Sequence, residues 1–333
     1  MPIALVQGSI AVQYVHLLHK NLPKHWDILS WDPEEDSKDD FLEKSKKADA
    51  IIGGRIPLEK WPRLPKLNLF QIPWAGFDFC SPKTMPMSIP VCNCYEHEST
   101  LAEYVMLAML EWQIHLGQMD QRFREQGWGG RQVGKGLYHG EIRGKTVGIL
   151  GYGHIGKEIA LRASAFGMRV LGIRRSKQPT PEMLEWLGTS ERLPEMLQES
   201  DFVVVCCDLN PQTEGILAKE ELESMKNEGV LINVARGRVV DEEALYEALL
   251  EKKIGGAVID VWYQYIGADK KEIWPSNFPF QDLDNVILSA HESAWTREQI
   301  ERRWQFIAQN LERVEQNLPP ENLVFIGEQP MDD

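Results

Sequence analysis

Short apolar runs alternate with amphipathic stretches along the first third of the chain. Strands are predicted at 3–7, 27–30, 50–52, 67–72 and 89–93, and helices at 12–21 and 41–47. Alternation of this kind favours a parallel α/β sheet. Apolar positions at helical spacing, after a Ser-Thr start, predict a long helix over 99–115. The polar, glycine-rich stretch 116–143 is predicted to be a long loop or arm.

A second alternation of strands and helices begins at Lys145. Strands are predicted at 145–150, 169–173, 201–206, 229–234, 254–259 and 286–289, and helices at 154–166, 218–225 and 241–251. Six strands with crossover connections are typical of a doubly wound sheet that binds a dinucleotide. Residues 264–284 form an irregular insertion, and 296–318 are predicted to be one amphipathic helix.

Composition excludes several classes of partner. The formal net charge of −14 at pH 7 argues against binding to nucleic acid or to an anionic membrane. No apolar run approaches the roughly 18 residues that a spanning helix needs, and the first residues lack a cationic leader, so we expect no secretory signal. Five cysteines without a CxxC pair fit a reducing cytoplasm better than a disulfide framework or a metal site.

A glycine-rich turn follows the first strand of the second alternation. Gly151, Gly153 and Gly156 stand between that strand and the next helix, and His154 and Ile155 lie within the turn. Glycines in this context allow a pyrophosphate to approach the free N–H groups of the helix N-terminus. The motif therefore predicts a dinucleotide site, in preference to a turn that is merely structural.

The residues after the second strand of this alternation bear on the choice of cofactor. An acidic side chain there would bind the adenosine ribose, but this chain has Arg174 and Arg175, followed by Ser176 and Lys177. Guanidinium groups suit a 2′-phosphate. We therefore expect NADP(H) to be favoured over NAD(H), and the alternative is that these cations are simply solvated.

Four segments downstream of the glycine turn resemble the D-isomer-specific 2-hydroxyacid dehydrogenases, in particular the glyoxylate/hydroxypyruvate reductases. They are CCDLNPQTEGIL (206–217), LINVARGRVVDEEAL (231–245), GGAVIDVW (255–262) and VILSAHESAWT (286–296). The regions 64–78 and 99–110 agree more loosely. The resemblance implies two doubly wound α/β domains, with a Rossmann-type nucleotide domain (101–296) inserted into a flavodoxin-like substrate domain (1–100 and 297–333). It also implies a homodimer to which the 116–143 arm contributes.

Two residues match the family's catalytic positions. Arg236 follows a predicted strand end, and the resemblance implies that it pairs with the substrate carboxylate and ketone oxygen. A guanidinium suits this task because it binds bidentately and keeps its proton. His291 also follows a strand end and matches the histidine that gives its proton to the forming hydroxyl.

The resemblance also implies cofactor and substrate contacts. Asp260 matches the residue that holds the nicotinamide carboxamide. The other implied cofactor positions are Cys207, Thr213, Val234, Ala235 and Ser293, together with Arg236 and His291. Ala75 and Gly76 match the loop whose backbone N–H groups receive the substrate carboxylate, and Gly54 is a candidate for the opposite wall. Arg55 beside it is more simply read as a surface residue, and Cys206 and Cys207, on an apolar strand, as buried structural residues.

One departure from the family pattern affects the proton relay. The family's third catalytic residue is a glutamate five positions after the aspartate, and that count lands here on Tyr265. Ala290 replaces the proline that usually precedes the histidine. The usual glutamate binds the histidine and raises its pKa. Glu292, Asp269 and Glu272 are the candidates to replace it in space.

These observations favour an oxidoreductase that transfers a hydride between a nicotinamide cofactor and a small 2-oxo or 2-hydroxy acid. One alternative is a nucleotide-sensing protein of the corepressor type, although such a sensor needs neither Arg236 nor His291. The other is hydride transfer of the formate dehydrogenase type, which uses a glutamine in place of the glutamate, but Gln264 is one position out of register. The sequence leaves open the particular 2-hydroxy acid and the physiological direction.

Overall fold

A computed structural model describes residues 1–56, 58–129, 138–266 and 273–332. The chain divides into two units, residues 1–96 with 296–333 and residues 97–295. Among the described residues, no helix is both long and apolar enough to cross a bilayer.

The amino-terminal segment begins as an alternation of strands and helices, as its apolar pattern predicts. Its elements are β1 (Ile3–Gln7), α1 (Val15–Asn21), β2 (Asp27–Trp31), α2 (Lys38–Ser45), β3 (Ala50–Gly53), β4 (Leu69–Gln71) and β5 (Pro90–Cys92). The alternation extends as far as β3, and β4 and β5 then follow with no α-helix between them in the described residues. Helix α2 begins before the predicted start because Ser37 and Asp40 form a capping box, each side chain accepting from the other's backbone N–H.

The second unit starts with two consecutive helices, α3 (Glu98–Ile114) and α4 (Leu116–Gln126). The prediction of a loop from 116 onward is therefore wrong for 116–126. Leu116, Met119 and Phe123 recur at helical spacing, and this pattern outweighs the polar composition of the segment. His115, in the left-handed region with φ 55°, separates the two helices. Residues 130–137 of the predicted arm lie outside the described residues.

The remaining elements of the second unit follow a strand–helix alternation. They are β6 (Thr146–Leu150), α5 (His154–Ala165), β7 (Arg169–Ile173), β8 (Trp186–Gly188), α6 (Leu193–Glu199), β9 (Phe202–Val205), α7 (Lys219–Ser224), β10 (Val230–Asn233), α8 (Glu242–Leu250), β11 (Gly256–Ile259) and β12 (Val286–Leu288). Among the described residues the sheet has seven strands, in the order β12-β11-β10-β9-β6-β7-β8, instead of the predicted six. The extra strand β8 is only half-buried and three residues long, so it carries little apolar signal.

The strand order creates a crevice for a ligand in this sheet. All its strands pair in parallel, and β6 lies between β7 and β9, so the chain switches direction across the sheet at β6. In such sheets ligands bind outside the carboxyl ends of the strands at the switch point. The glycine turn after β6 and Cys206–Cys207 after β9 lie at this edge.

The carboxyl-terminal segment returns to the first unit through α9 (Arg297–Glu315) and β13 (Leu323–Ile326). Trp304, Ile307 and Leu311 of α9 pack into the core beside Val6 and Ile52. The sheet order is β13-β5-β4-β3-β1-β2, with β13 antiparallel to β5 and the other pairs parallel. The order of its parallel strands is that of the flavodoxin-like fold, so the predicted fold class of two doubly wound α/β domains is confirmed.

Candidate active site

The glycine turn after β6 has the geometry that a pyrophosphate requires. Gly151 has φ +109°, and a Cβ there would lie 2.5 Å from the backbone N of Cys207. A Cβ on Gly156 would lie 2.7 Å from the Gly151 carbonyl. Gly153 is exposed to solvent and is the N-cap residue of α5, so no capping side chain covers the first N–H groups of the helix. The first-turn N–H groups of α5 therefore fit an anionic ligand.

The flanking residues of the turn point in different directions. His154 is the first residue of α5 and is exposed, whereas Ile155 is half-buried against the core of the unit. The predicted phosphate-loop residues thus lie together at the start of one helix.

Arg174, directly after β7, has a polar group that lacks a partner. Its backbone N–H donates to the Gly188 carbonyl over 2.9 Å, so β8 holds it in place. Its Nε atom is buried and makes no hydrogen bond within the described residues. Burial raises the pKa of the nearby Tyr152 phenol, and the charge of Arg174 partly opposes that increase. A buried donor without an acceptor fits an anionic ligand beside the glycine turn.

Arg175 and Ser176 continue this edge of the sheet and are exposed. Arg174, Arg175 and Ser176 therefore follow one another between the end of β7 and solvent. This is where a 2′-phosphate would lie in a Rossmann-type site.

Arg236 is held by the loop that follows β10. The Asn233 side chain accepts from the Ala235 N–H and donates to the Arg236 carbonyl, both over 3.1 Å. The half-buried Arg236 guanidinium donates to the Ala235 carbonyl over 2.8 Å. A Cβ on Gly237 would overlap the Trp262 carbonyl, so only glycine lets this loop approach the segment after β11 so closely.

Asp260, the residue after β11, is completely buried. Its Oδ1 accepts from the Ser289 hydroxyl over 2.6 Å and from the Glu292 N–H over 2.9 Å. The Ser293 N–H lies 3.2 Å from both carboxylate oxygens, and the Ser293 hydroxyl donates to Oδ2. All these donors flank His291, which has φ 60°. The buried carboxylate thus organises the loop that carries the predicted catalytic histidine.

The electrostatic surroundings of His291 connect it to both neighbouring loops. The protein atoms around the His291 ring keep water from it, and this desolvation lowers the pKa of His291 below its ordinary value of 6.5. Part of the residue nevertheless remains exposed to solvent. The charge of Asp260 raises the pKa, and the charge of Arg236 lowers it. Arg236, predicted from a separate motif, is therefore close enough to His291 in this unit for its charge to lower the pKa of the histidine.

Tyr265 lies beside His291, with ring centroids 5.6 Å apart and ring planes inclined by 56°. Its hydroxyl accepts from the Trp262 N–H over 3.1 Å. Tyr265, which stands where the family has its glutamate, therefore lies next to His291. Within the described chain no carboxylate hydrogen-bonds the His291 ring.

Of the candidates to replace the glutamate, only Glu292 can be placed. Its backbone N–H binds Asp260, and its side chain is exposed. Asp269 and Glu272 lie outside the described residues.

Cys206 and Cys207 come after β9 and not on it, a small correction to the prediction. Burial raises the pKa of the Cys207 thiol to about 12, and it raises that of Cys206 as well. Both thiols therefore stay protonated at neutral pH, which supports the predicted structural role over redox chemistry.

No group of three or more His, Cys, Asp and Glu side chains that could hold a metal is found in the described residues.

Three further predicted cofactor positions lie in loops at the same edge of this sheet. Val234 and Ala235 are buried directly after β10. The Thr213 hydroxyl donates to the Asp208 carbonyl over 2.5 Å and accepts from the Asn210 N–H over 2.9 Å. Thr213 thereby stabilises the turn after β9.

The amino-terminal unit brings its own predicted residues together. Gly54 follows β3, and its carbonyl accepts from the Gln7 side chain over 3.1 Å. A Cβ on Gly54 would overlap the Trp74 indole, so this glycine lets the loop after β4 pack closely. Arg55 is exposed, as expected for a surface residue.

Ala75 and Gly76, in that loop, are half-buried. The Asn93 side chain donates to the Ala75 carbonyl over 2.8 Å and so orients the loop. Gly54 and the 75–76 loop are therefore neighbours at the carboxyl edge of this sheet.

Two residues of the site were missed by sequence reasoning. Ser289 binds Asp260, and its hydroxyl is also 2.6 Å from the hydroxyl of Tyr104 on α3. Ser289 stands two positions before His291 and could have been suspected for that reason. Tyr104 falls in a helix with no sequence signal that relates it to residue 289.

Comparison with known proteins identifies the family. The sequence model of the family described as D-isomer specific 2-hydroxyacid dehydrogenase, NAD binding domain, matches residues 106–293. The chain belongs to this family. The predicted resemblance and the predicted nicotinamide-dependent oxidoreductase acting on 2-oxo or 2-hydroxy acids are thereby confirmed.

Similar proteins cover nearly the whole chain of this 2-hydroxyacid dehydrogenase. Glyoxylate reductase of Thermococcus onnurineus is 32% identical over 316 residues, which are 92% of this chain and 91% of the relative. Glyoxylate reductase of Pyrococcus furiosus is 31% identical over 313 residues, 91% of this chain and 90% of the relative.

Solved structures agree on the fold. A D-isomer specific 2-hydroxyacid dehydrogenase from Xanthobacter autotrophicus, in complex with NADPH and MES, is 25% identical, with TM-score 0.76 over 97% of this chain and 98% of that one. A family protein from Aeromonas salmonicida is 24% identical, with TM-score 0.80 over 97% of this chain and 99% of that one.

Proposed function

We propose that this dehydrogenase reduces a small 2-oxo acid, with glyoxylate as the first candidate, and that it favours NADPH as the hydride donor. The observation that carries the proposal is that Arg236, His291 and the glycine turn all lie in loops that follow strands of one parallel sheet, at its carboxyl edge. Relatives that match over about nine-tenths of their length are glyoxylate reductases, which supports glyoxylate as substrate.

The roles of the residues follow from their chemistry. The nicotinamide, when bound, supplies the hydride that adds to the carbonyl carbon of the 2-oxo acid. Arg236 binds the substrate carboxylate and the ketone oxygen, and its fixed charge stabilises the alkoxide that develops. Protonated His291 gives its proton to that oxygen, which yields the 2-hydroxy acid and a neutral imidazole. Backbone N–H groups of Ala75 and Gly76, with Gly54 nearby, are proposed to bind the carboxylate.

The cofactor residues are proposed from the fit of their surroundings. Gly151, Gly153 and Gly156 leave room and N–H groups for the pyrophosphate. Cys207, Thr213, Val234 and Ala235 are proposed to line the cofactor from the loops after β9 and β10. The enzyme is proposed to act in the cytoplasm, a reducing compartment that fits its five free cysteines.

Steady-state kinetics with a panel of substrates tests the function. Glyoxylate, hydroxypyruvate and pyruvate are offered with NADPH or NADH, and formate is offered with NADP+ or NAD+. We expect reduction of at least one 2-oxo acid and no oxidation of formate. Tight cofactor binding without turnover of any substrate would favour a nucleotide-sensing protein of the corepressor type. Oxidation of formate would favour hydride transfer of the formate dehydrogenase type.

Replacing Arg174 and Arg175 together with alanine should abolish the preference for NADPH. Charge-assisted hydrogen bonds contribute about 1.5–3 kcal/mol each, and the lower end applies to the exposed Arg175. We therefore expect the NADPH Kd to rise at least about tenfold and the NADH Kd to change little. Fluorescence titration of both cofactors measures this. Equal affinity for NADPH and NADH in the unmodified protein would refute the proposed preference.

The enzyme is proposed to be a homodimer. Helix α4 buries none of its residues, and its Leu116 and Phe123 are more than half exposed. An apolar face of this kind fits a second copy of the chain. Sedimentation velocity should give a dimer for the unmodified protein and a monomer for Phe123→Asp. Leu250→Asp, at an exposed leucine of α8, is the matched control and should stay dimeric. A monomeric unmodified protein would contradict the proposal.

A further inference from the structure

The loops that follow β3 and β4 meet over the carboxyl edge of the amino-terminal sheet. These strands are parallel neighbours, with Ile52 paired to Gln71. Trp74 lies shortly after the end of β4, and its indole occupies the space that a Cβ on Gly54, directly after β3, would need. Position 54 therefore has no room for a side chain because the Trp74 ring fills that room.

We propose that the Trp74 indole limits the size of the group that the substrate carries on its carbonyl carbon, and so selects 2-oxo acids with a hydrogen or a short side chain there. The inference rests on the proposed function, in which Gly54 and the backbone N–H groups of Ala75 and Gly76 bind the substrate. Trp74 directly precedes that loop and touches Gly54, so a substrate bound there has the indole beside it.

Hydrogen bonds and a ring contact hold Trp74 in this position. Its carbonyl accepts from the Cys94 N–H over 3.2 Å, and the next carbonyl, that of Ala75, accepts from the Asn93 side chain over 2.8 Å. The Phe79 ring meets the indole edge-to-face, with ring centroids 6.4 Å apart. A closely packed ring moves aside only at a cost in free energy, so it is able to exclude a larger substrate.

Part of the Trp74 ring remains open to solvent. The residue is half-buried and packs on one side against the core of the amino-terminal unit. The indole N–H groups of Trp31 and Trp61 donate to the carbonyls of Ser37 and Thr84, whereas the N–H of Trp74 has no acceptor within the described residues. An aromatic surface that is open at the carboxyl edge of a parallel sheet lies where such sheets bind their ligands.

Two substitutions that shorten the side chain test the size limit. Glyoxylate, pyruvate, 2-oxobutyrate and 2-oxovalerate carry progressively longer groups on the carbonyl carbon, and one methylene too many typically lowers kcat/KM by about 10–200-fold. We expect the ratio of kcat/KM for 2-oxovalerate to that for glyoxylate to rise at least about tenfold in Trp74→Ala and by a smaller factor in Trp74→Leu. Steady-state kinetics measures this ratio.

The ratio distinguishes selectivity from a loss of stability, which would lower activity toward all four substrates alike. Trp186→Ala is the matched control, because Trp186 is also half-buried but lies in the other unit, where it stacks on Arg192. Its ratio should equal that of the unmodified enzyme. If glyoxylate were reduced and the ratio stayed unchanged in both Trp74 variants, the proposal would be overturned.

Binding of unreactive analogues separates this inference from the proposed function. Oxamate and N-propyloxamate have the shapes of a short and a long 2-oxo acid, but their amide carbonyl is not reduced. In isothermal titration of the enzyme with NADPH present, N-propyloxamate should bind Trp74→Ala at least about tenfold more tightly than the unmodified protein. If it did so but no 2-oxo acid were reduced, the proposed reduction would be wrong and the size limit would stand. No tighter binding in Trp74→Ala would refute the size limit.

A double substitution tests the contact between Trp74 and Gly54. Gly54 does not have a positive φ, so its backbone tolerates alanine, and only the overlap with the indole opposes the change. Gly54→Ala should therefore lower kcat/KM for glyoxylate at least about tenfold, and much less when it is added to Trp74→Ala. Equal losses in the two backgrounds would show that the indole does not fill this space, contrary to the proposal.

Discussion

Arg236→Lys is expected to lower kcat/KM for 2-oxo acid reduction by about 100-fold or more, which is the effect of losing one donor to a developing oxyanion. Lysine keeps the positive charge but not the planar, bidentate fork that pairs with a carboxylate and a ketone oxygen together. It also loses the contact with the Ala235 carbonyl that directs the guanidinium. Steady-state kinetics measures the loss, and fluorescence titration should show a much smaller change in the NADPH Kd.

The same substitution two residues later provides a matched control. Arg238 is exposed and forms an ion pair with Glu214 over 3.0 Å. Arg238→Lys keeps a charge at the protein surface, where such pairs contribute little, so the activity should stay near that of the unmodified enzyme. Near-normal kcat/KM in Arg236→Lys would remove Arg236 from the carboxylate-binding role.

Tyr265→Glu is expected to extend reductase activity to higher pH. In the proposed mechanism reduction requires protonated His291, and the pKa of this residue lies below its ordinary value of 6.5. In the unmodified enzyme kcat/KM should therefore fall as pH rises through a value below 6.5. A carboxylate at position 265 stabilises the imidazolium, raises the pKa of His291 and moves the falling limb to higher pH. The gain in kcat/KM at pH 8 should be at least about tenfold.

The control substitution Tyr265→Gln separates the effect of the glutamate's charge from the effect of its size and shape. Glutamine has the length of glutamate without its charge, so its pH profile should keep the falling limb of the unmodified enzyme. Profiles of kcat/KM between pH 5 and 9 compare the three proteins. A limb well above neutrality in the unmodified enzyme, insensitive to both changes, would mean that another group donates the proton.

Local patterns were sufficient for much of the fold. The strands β6, β9, β10 and β11 are buried apolar runs, and the turn after β6 needs its glycines for backbone reasons that act within a few residues. These features are encoded close together in the chain, so periodicity and turn chemistry reveal them. Elements such as β8 and β13 are short and half-buried, so their two faces show no clear contrast between buried and exposed residues. They form because a sheet edge is available to pair with them.

Sequence by itself determined the two α/β segments and the glycine turn at Gly151–Gly156, and it pointed to Arg236 and His291 as the residues that we propose to bear the chemistry. Only the tertiary structure decided what surrounds them, because partners such as Asp260 and Ser289 are about thirty residues apart and meet through parallel strand ends. It made Asp260 the buried organiser of the His291 loop, and it left the Tyr265 ring against the histidine. Burial and through-space charge set the pKa of His291. Neither can be predicted from the spacing of motifs along the chain, because both depend on which residues the fold brings around the ring.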